Sequence, residues 1–368
     1  MRIVISGGGT GGHVFPAIAI ADAIMKLRPE AQIQFIGARG RIEMERVPKA
    51  GYPIEGLWIS GFQRKLTLQN LLFPVKLLSS LWKAWRILKR FRPDVAVGVG
   101  GYASGPTLRM ANRLGIPTLL QEQNSYPGVT NRILAAKAAK ICVAYDGMER
   151  FFPKGKILVA GNPVRQDLEN VVELRTEACR HFGLDPAKKT LVVLGGSLGA
   201  RTINEAMRDA GTLLVQYPGI QVLWQAGKLY IDTFGQCATA QLPQVKIIAF
   251  IDRMDYAYAV ADLVIGRAGA LTISELCVVG KPCILVPSPN VAEDHQTKNA
   301  SALVRHDAAI MVRDADAKSA LLPKALEALG QSAILSRLSV NVKTLGKPRA
   351  AEEIALQVIE LGRKRNNQ

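Results

Sequence analysis

Apolar and polar positions along the chain change period in a regular way. Ile3-Val4-Ile5, within Arg2 to Ser6, is a continuous apolar run stopped by glycine, which predicts a short buried strand. From Val14 onward the period is helical, with Phe15, Ile18, Ala19, Ala21, Ile24 and Met25 at spacings of three and four. Pro16 suits the first turn of such a helix, where its missing N–H costs nothing. The alternation then repeats. Strands are predicted at Gln32–Ile36, Tyr52–Ile59, Asp94–Val99, Pro117–Leu120, Ile141–Ala144 and Ile157–Ala160, with helices around Arg41–Ala50 and up to Leu114. Gly161-Asn162-Pro163-Val164-Arg165 breaks the pattern and marks a linker at about 162–168. Beyond it the pattern predicts a helix around Val171–Phe182 and strands at Lys189–Leu194, Gln221–Trp224, Val245–Phe250, Asp262–Ile265 and Pro282–Pro287. Helices are expected from Arg201, from Leu271, over 318–340 and over Ile354–Leu361, and Asn290–Gln296 reads as a polar loop.

Buried strands alternating with helices predict doubly wound parallel sheets. Each half opens on strand, glycine loop and helix, through Gly7 to His13 in the first and Gly195-Gly196-Ser197-Leu198-Gly199-Ala200 in the second. At 368 residues the chain is long for one core. The expected fold is therefore α/β, with two Rossmann-like domains whose parallel sheets face each other across a cleft.

The first loop carries the first candidate chemistry. Its glycines leave the backbone N–H groups and the helix N-terminus open to an anion or a sugar. Gly7, Gly9 and Gly12 match G-x-G-x-x-G. A dinucleotide site also needs an acid at the end of the second strand, for the ribose. Here that strand runs into Gly37-Ala38-Arg39-Gly40, and the nearest acid, Glu43, falls where the next helix should open. Arg39 could still meet an NADP phosphate, so an NAD(P)-dependent oxidoreductase stands as an alternative. Gly266-Arg267-Ala268-Gly269 leads into another helix, whose N-terminus suits a diphosphate. Glu275 is expected in its first turn, either compensating the helix dipole or accepting from a ribose diol.

Hydrophobic content of 48 % and charged content of 21 % are ordinary for a soluble globular protein. The five cysteines form no C-x-x-C and no zinc spacing, which points to a reduced compartment and core packing. The chain enters its first strand with no basic head and no cleavage site, so no signal peptide is expected. No apolar run reaches the ~18 residues of a membrane span. Asp314-Ala315-Asp316 is a literal D-x-D, but it precedes a helix, so N-capping is expected and no metal site.

Charge is unevenly placed. Residues 1–160 hold 23 Lys and Arg against 9 Asp and Glu, nearly all of the net +17. Arg64 to Arg92 contains eight Lys and Arg and no acid, around a helical stripe of Leu71, Val75, Leu78, Leu81, Trp82, Trp85 and Leu88. The Leu78–Leu88 part is expected to pack on the sheet. The surplus of apolar residues around Leu71–Pro74, with tryptophans and basic residues, fits an anionic membrane surface. No helix-turn-helix, zinc or RNP pattern accompanies the charge, so no nucleic-acid partner is expected.

Seven stretches carry a resemblance. They are Gly9 to Pro16, Gly100 to Pro106, Glu122-Gln123-Asn124, Gly161 to Arg165, Gly195-Gly196-Ser197, Phe250-Ile251-Asp252 and Gly269 to Glu275. In order and spacing, from residue 3 to about residue 310, they resemble the MurG family of N-acetylglucosaminyltransferases, which convert lipid I to lipid II in peptidoglycan synthesis. The resemblance implies a glycosyltransferase-B fold. Its domains would be 1–162 for the acceptor and the membrane, 163–342 for the UDP-sugar, and a C-terminal helix in 343–368 returning to the first domain.

By match, the Ile251 backbone would read uracil and Glu275 would hold the ribose. Ser197, Arg165 and the helix start at Ala270, Leu271, Thr272, Ile273 and Ser274 would serve the diphosphate and its surroundings. Gln296 and Asn124 would touch the sugar, with Thr10, Gly11 and Gly12 approaching from the first domain. Asp294-His295-Gln296-Thr297 departs from family members that carry two adjacent glutamines. The loop with Gly101, Tyr102, Ser104 and Gly105 would receive the lipid diphosphate. No cofactor is implied. The partners would be UDP-GlcNAc, lipid I, the membrane surface through 64–92 and cell-wall synthesis proteins, at the cytoplasmic face of the bacterial membrane. Another UDP-sugar glycolipid synthase is a further alternative. An inverting displacement needs a base near neutrality for the acceptor hydroxyl. His13 is the first candidate and Glu122 the second.

Overall fold

The computed structural model describes residues 1–60, 72–165, 168, 171–196, 198–291 and 294–366. It forms two compact units, Met1–Arg165 with Lys347–Gln368, and Gln166–Gly346. The first unit holds seven strands: β1 (Arg2–Ser6), β2 (Gln32–Ala38), β3 (Ile54–Leu57), β4 (Val95–Gly98), β5 (Thr118–Glu122), β6 (Lys140–Val143) and β7 (Ile157–Val159). They lie in the order β3-β2-β1-β4-β5-β6-β7 and every pair is parallel. The second unit holds β8 (Lys189–Leu194), β9 (Ile220–Gln225), β10 (Val245–Ile248), β11 (Leu263–Gly266), β12 (Cys283–Leu285) and β13 (Ile310–Met311). Their order is β10-β9-β8-β11-β12-β13, again parallel throughout. Both units are thus α/β sheets of the mononucleotide-binding kind, and in each the order reverses beside the first strand.

Strand centres match the apolar runs because a strand covered on both faces must be apolar throughout. The differences lie at the ends. β3 occupies only the middle of Tyr52–Ile59, and the two-residue β13 carries no run long enough to announce it. The expected helix over 318–340 is two helices, Ala317–Gly330 and Ser332–Thr344, separated at Gln331. The loop expected to reach Gln296 ends at Asp294, and a helix covers His295–Val304. The final helix, Ala350–Asn366, packs Ala351, Ile354, Ala355 and Val358 into the core of the first unit, beside Ile20 and Ile24 of the helix Gly11–Leu27.

The helix Phe73–Phe91 inverts one expectation. Ser80, Ala84, Ile87 and Leu88 are its buried residues, whereas Val75, Leu78 and Trp82 are 53 %, 67 % and 58 % exposed. Small residues let this helix approach the sheet closely, and most of the apolar stripe faces solvent. The stretch 64–71, including Leu71, lies outside the described residues. Among the described residues no helix is long and apolar enough to cross a membrane.

Candidate functional site

In the first unit the C-terminal ends of β1 and β4 are neighbours, where sheets of this kind bind ligands. The two loops that leave them interlock. Gly101 has φ +83°, and a Cβ there would lie 2.1 Å from the Gly8 carbonyl oxygen. The His13 ring rests against Gly100, where an added Cβ would come 2.8 Å from Cδ2 and 2.9 Å from Nε2. His13 Nδ1 is 3.1 Å from Thr10 Oγ1, and the Thr10 carbonyl accepts the His13 and Val14 N–H groups. The histidine is therefore held in the first turn of its helix, half-buried, with Thr10 and Gly12 exposed beside it.

Glu43 opens the helix Glu43–Lys49, as its position suggested, but its side chain turns back into the loop. It is 1 % exposed; Oε2 accepts the Gly9 N–H at 2.9 Å and Oε1 accepts the Ala38 N–H at 2.9 Å. The N–H of Gly9, the second glycine of the fingerprint, is thus taken by a side chain of the protein itself. Arg39, the residue left for an NADP phosphate, directs its Nε–H to Gly56 O at 3.2 Å. Both observations count against a dinucleotide site. No local pattern announces Glu43, because its partner Gly9 is 34 residues away.

Glu122, at the end of β5, is 2 % exposed. Its Oε1 accepts from the Asn124 N–H at 3.0 Å and the Asn124 amide at 3.3 Å. Its Oε2 accepts from the Gly128 N–H at 3.1 Å and from Asn131 Nδ2 at 2.9 Å. Burial pushes its pKa above the ordinary carboxylate range, and these four hydrogen bonds pull the other way. Both oxygens are committed to shaping the loop, which orients Asn124. Beside it Gln121 Nε2 donates to Asn162 Oδ1 at 3.0 Å, and Gln123 Nε2 donates to Val99 O at 2.7 Å, all buried.

Ser104 is buried, with its hydroxyl 2.6 Å from Ser6 O and 2.9 Å from Gly100 O. It ties the loops together from beneath and does not present its hydroxyl to a ligand. Tyr102 and Gly105 instead line a groove of about 510 Å³ with Phe73, Leu77, Leu81 and Ile133. Beside the groove, Lys76 lies over Trp58, Arg86 over Trp82 and Lys89 over Trp85, at 5.8, 4.8 and 5.7 Å from the ring centroids. Arg165, at the end of the unit, lies over the Phe15 ring at 5.6 Å.

In the second unit β8 and β11 are the adjacent strands. Ser197, in the loop after β8, lies outside the described residues. The helix Ala270–Val279 follows β11 with Gly269 as its N-cap and no side-chain cap. The N–H groups of Ala270, Leu271 and Thr272 have no acceptor within the helix. Ile273 is a core residue, and Ser274 bonds back to Ala270 O at 2.9 Å, so these two offer little beyond backbone. Glu275 sits in the second turn and not the first; there it does not cap the helix. It is 5 % exposed and accepts from the Tyr258 hydroxyl at 2.8 Å through Oε2. Gln296 Oε1 accepts the Ser288 N–H at 2.8 Å, which turns its NH₂ the other way. Ile251 lines a cavity of about 560 Å³ with Phe250, Asp252, Arg253, His181 and Lys246.

The D-x-D carboxylates make no capping bond. Asp314 pairs with Arg267 and accepts from Thr202 Oγ1 at 3.0 Å, and Asp316 pairs with Arg313 at 2.6 Å. Ion pairing, and not capping, is therefore the role of this motif.

The glycosyltransferase family 28 N-terminal domain matches residues 3–143 and the family's C-terminal domain matches residues 190–354. The chain is 57 % identical over 363 residues to a UDP-N-acetylglucosamine–N-acetylmuramyl-(pentapeptide) pyrophosphoryl-undecaprenol N-acetylglucosamine transferase of Bacteroides fragilis, covering 98 % of this chain and 96 % of that one. It is 54 % identical over 368 residues to the protein of the same name from Bacteroides thetaiotaomicron, covering 100 % and 99 %. Among solved structures it resembles MurG of Acinetobacter baumannii, with a TM-score of 0.77, 28 % identity and coverage of 98 % and 99 %. A UDP-GlcNAc 2-epimerase of Neisseria meningitidis shares the fold at a TM-score of 0.70 and 12 % identity, covering 98 % and 100 %.

Proposed function

Because the chain belongs to the family of UDP-N-acetylglucosamine–N-acetylmuramyl-(pentapeptide) pyrophosphoryl-undecaprenol N-acetylglucosamine transferases, we propose that it moves N-acetylglucosamine from UDP-GlcNAc to the muramyl hydroxyl of lipid I, giving lipid II. The observation that carries this reading is 57 % identity over 98 % of the chain, which spans both units. The second unit is the donor side. Glu275, fixed by Tyr258, accepts the ribose hydroxyls, and the cavity at Ile251 takes the uracil. The uncapped start of the helix Ala270–Val279 meets the diphosphate, with Ser197 assigned to the same group. Gln296, with its carbonyl tied to Ser288, directs its NH₂ to the sugar.

The first unit is the acceptor side. Its apolar groove beside Gly101, Tyr102 and Gly105 takes the lipid, and the loop takes the diphosphate. The exposed stripe with its Lys, Arg and Trp rings rests on anionic lipid at the cytoplasmic face of the membrane. His13 accepts the proton as the hydroxyl attacks the anomeric carbon in one inverting displacement, and UDP departs with the bonding pair. Charge growing on UDP is met by preorganised N–H dipoles, a stabilisation that needs no reorganisation during reaction. Glu122 acts by shaping the loop that presents Asn124. The test is transfer of radiolabel from UDP-GlcNAc to a lipid I analogue in excess EDTA. Labelled disaccharide-lipid is expected, and its absence with wild-type protein refutes the reading.

A further inference from the structure

We propose that Glu43 is a positioning residue for the transfer, holding the first glycine loop from within so that His13 keeps its place. The residue lies outside every role assigned above, yet it is as buried as the sheet core, at 1 % exposed. Its two oxygens bridge the loop after β1 to the end of β2, through Gly9 N–H and Ala38 N–H, each at 2.9 Å. Space has been cleared for it on two sides. A Cβ at Gly8 would lie 2.1 Å from Oε1, and one at Gly37 would lie 2.6 Å from Cγ.

The chain of contact to the histidine is short. Glu43 fixes Gly9; Thr10 follows, and its hydroxyl lies 3.1 Å from His13 Nδ1. On the other side Gly101 presses on Gly8, and Gly100 walls the imidazole. Glu43 is thus the inner jaw of a clamp whose outer jaw is the loop after β4. The Gly9 N–H that a nucleotide-binding loop would spend on a ligand phosphate is spent on this carboxylate. The consequence for substrate binding is specific: the acceptor diphosphate gets no bond from Gly9 and depends on the loop after β4.

The inference rests on the proposed transferase reading, and one experiment separates the two. Glu43→Gln keeps the size of the side chain but sets an NH₂ against one of two N–H donors. The expected result is a fall in kcat of about ten- to hundredfold, the scale on which a misplaced catalytic group is felt. The KM for UDP-GlcNAc and the Kd for UDP by calorimetry should stay within about twofold of wild type. A purely structural role would instead lower the folded fraction and leave kcat per folded molecule unchanged. Glu43→Asp, which keeps two acceptors on a shorter stem, replaces the Gln variant in the comparison should that variant fail to fold. Wild-type kcat in the folded variant overturns the inference, as does a loss of kcat matched by equal loss of UDP affinity. Inactive wild-type protein in the same assay would sink the transferase reading itself.

Discussion

His13 and Glu275 divide the proposed work at the level of single residues. The imidazole is half-buried and held by Thr10 and Gly100, which fixes its orientation. The Glu275 carboxylate is buried and oriented by Tyr258, which suits a binding group and not a shuttle. Their substitutions should separate cleanly. His13→Ala should lower kcat by about 10²–10⁴ with UDP affinity unchanged. Glu275→Ala should forfeit about 1.5–3 kcal/mol of charged hydrogen bonding, roughly a ten- to hundredfold rise in the Kd for UDP by calorimetry. At this scale the motifs pointed to the residue types, but not to their engagement. Glu122, Ser104 and Asp314 are polar side chains in motif positions, and each is taken up by protein partners: Glu122 by its own loop through Asn124, Gly128 and Asn131, and Ser104 and Asp314 by the distant Ser6 and Arg267.

The helix Phe73–Phe91 is the element whose orientation the pattern could not settle. Its apolar residues exceed what one face can bury, and periodicity assigned the Leu78–Leu88 part of one stripe to the sheet. The first unit buries instead the face with Ser80, Ala84, Ile87 and Leu88, where small side chains allow close approach, and leaves Val75, Leu78 and Trp82 in solvent. The proposed membrane surface joins these exposed apolar side chains to Arg86 and Lys89, each basic residue being worth about 1 kcal/mol near anionic lipid. Val75→Ser, Leu78→Ser and Trp82→Ser together should move the protein from pellet to supernatant when it is co-sedimented with phosphatidylglycerol vesicles. Retention in the pellet would refute the surface. The thermal midpoint should change little, since none of the three is buried.

For the molecule as a whole, the two sheets account for where its reactive groups are safe. Cys142, Cys179, Cys277 and Cys283 are buried, and Cys237 is partly exposed. Burial pushes the Cys142 and Cys277 thiols up to about 12, and raises those of Cys179 and Cys283 as well. Native protein at pH 8 should release at most one equivalent from Ellman's reagent promptly, and the remaining four only in denaturant; prompt reaction of several thiols would contradict the packing.

Every strand but β13, the parallel α/β class and the repeated strand–glycine–helix opening followed from the chain alone, because a buried parallel strand is apolar along its length and glycine suits a tight turn into a helix. Strand order, the outward face of one helix, and the return of Ala350–Asn366 to the first core are settled by packing between distant segments. So is the carboxylate of Glu43 inside the first glycine loop. Its partners are the loop after β1 and the end of β2, and only folding brings a helix-opening acid to a backbone N–H 34 residues away.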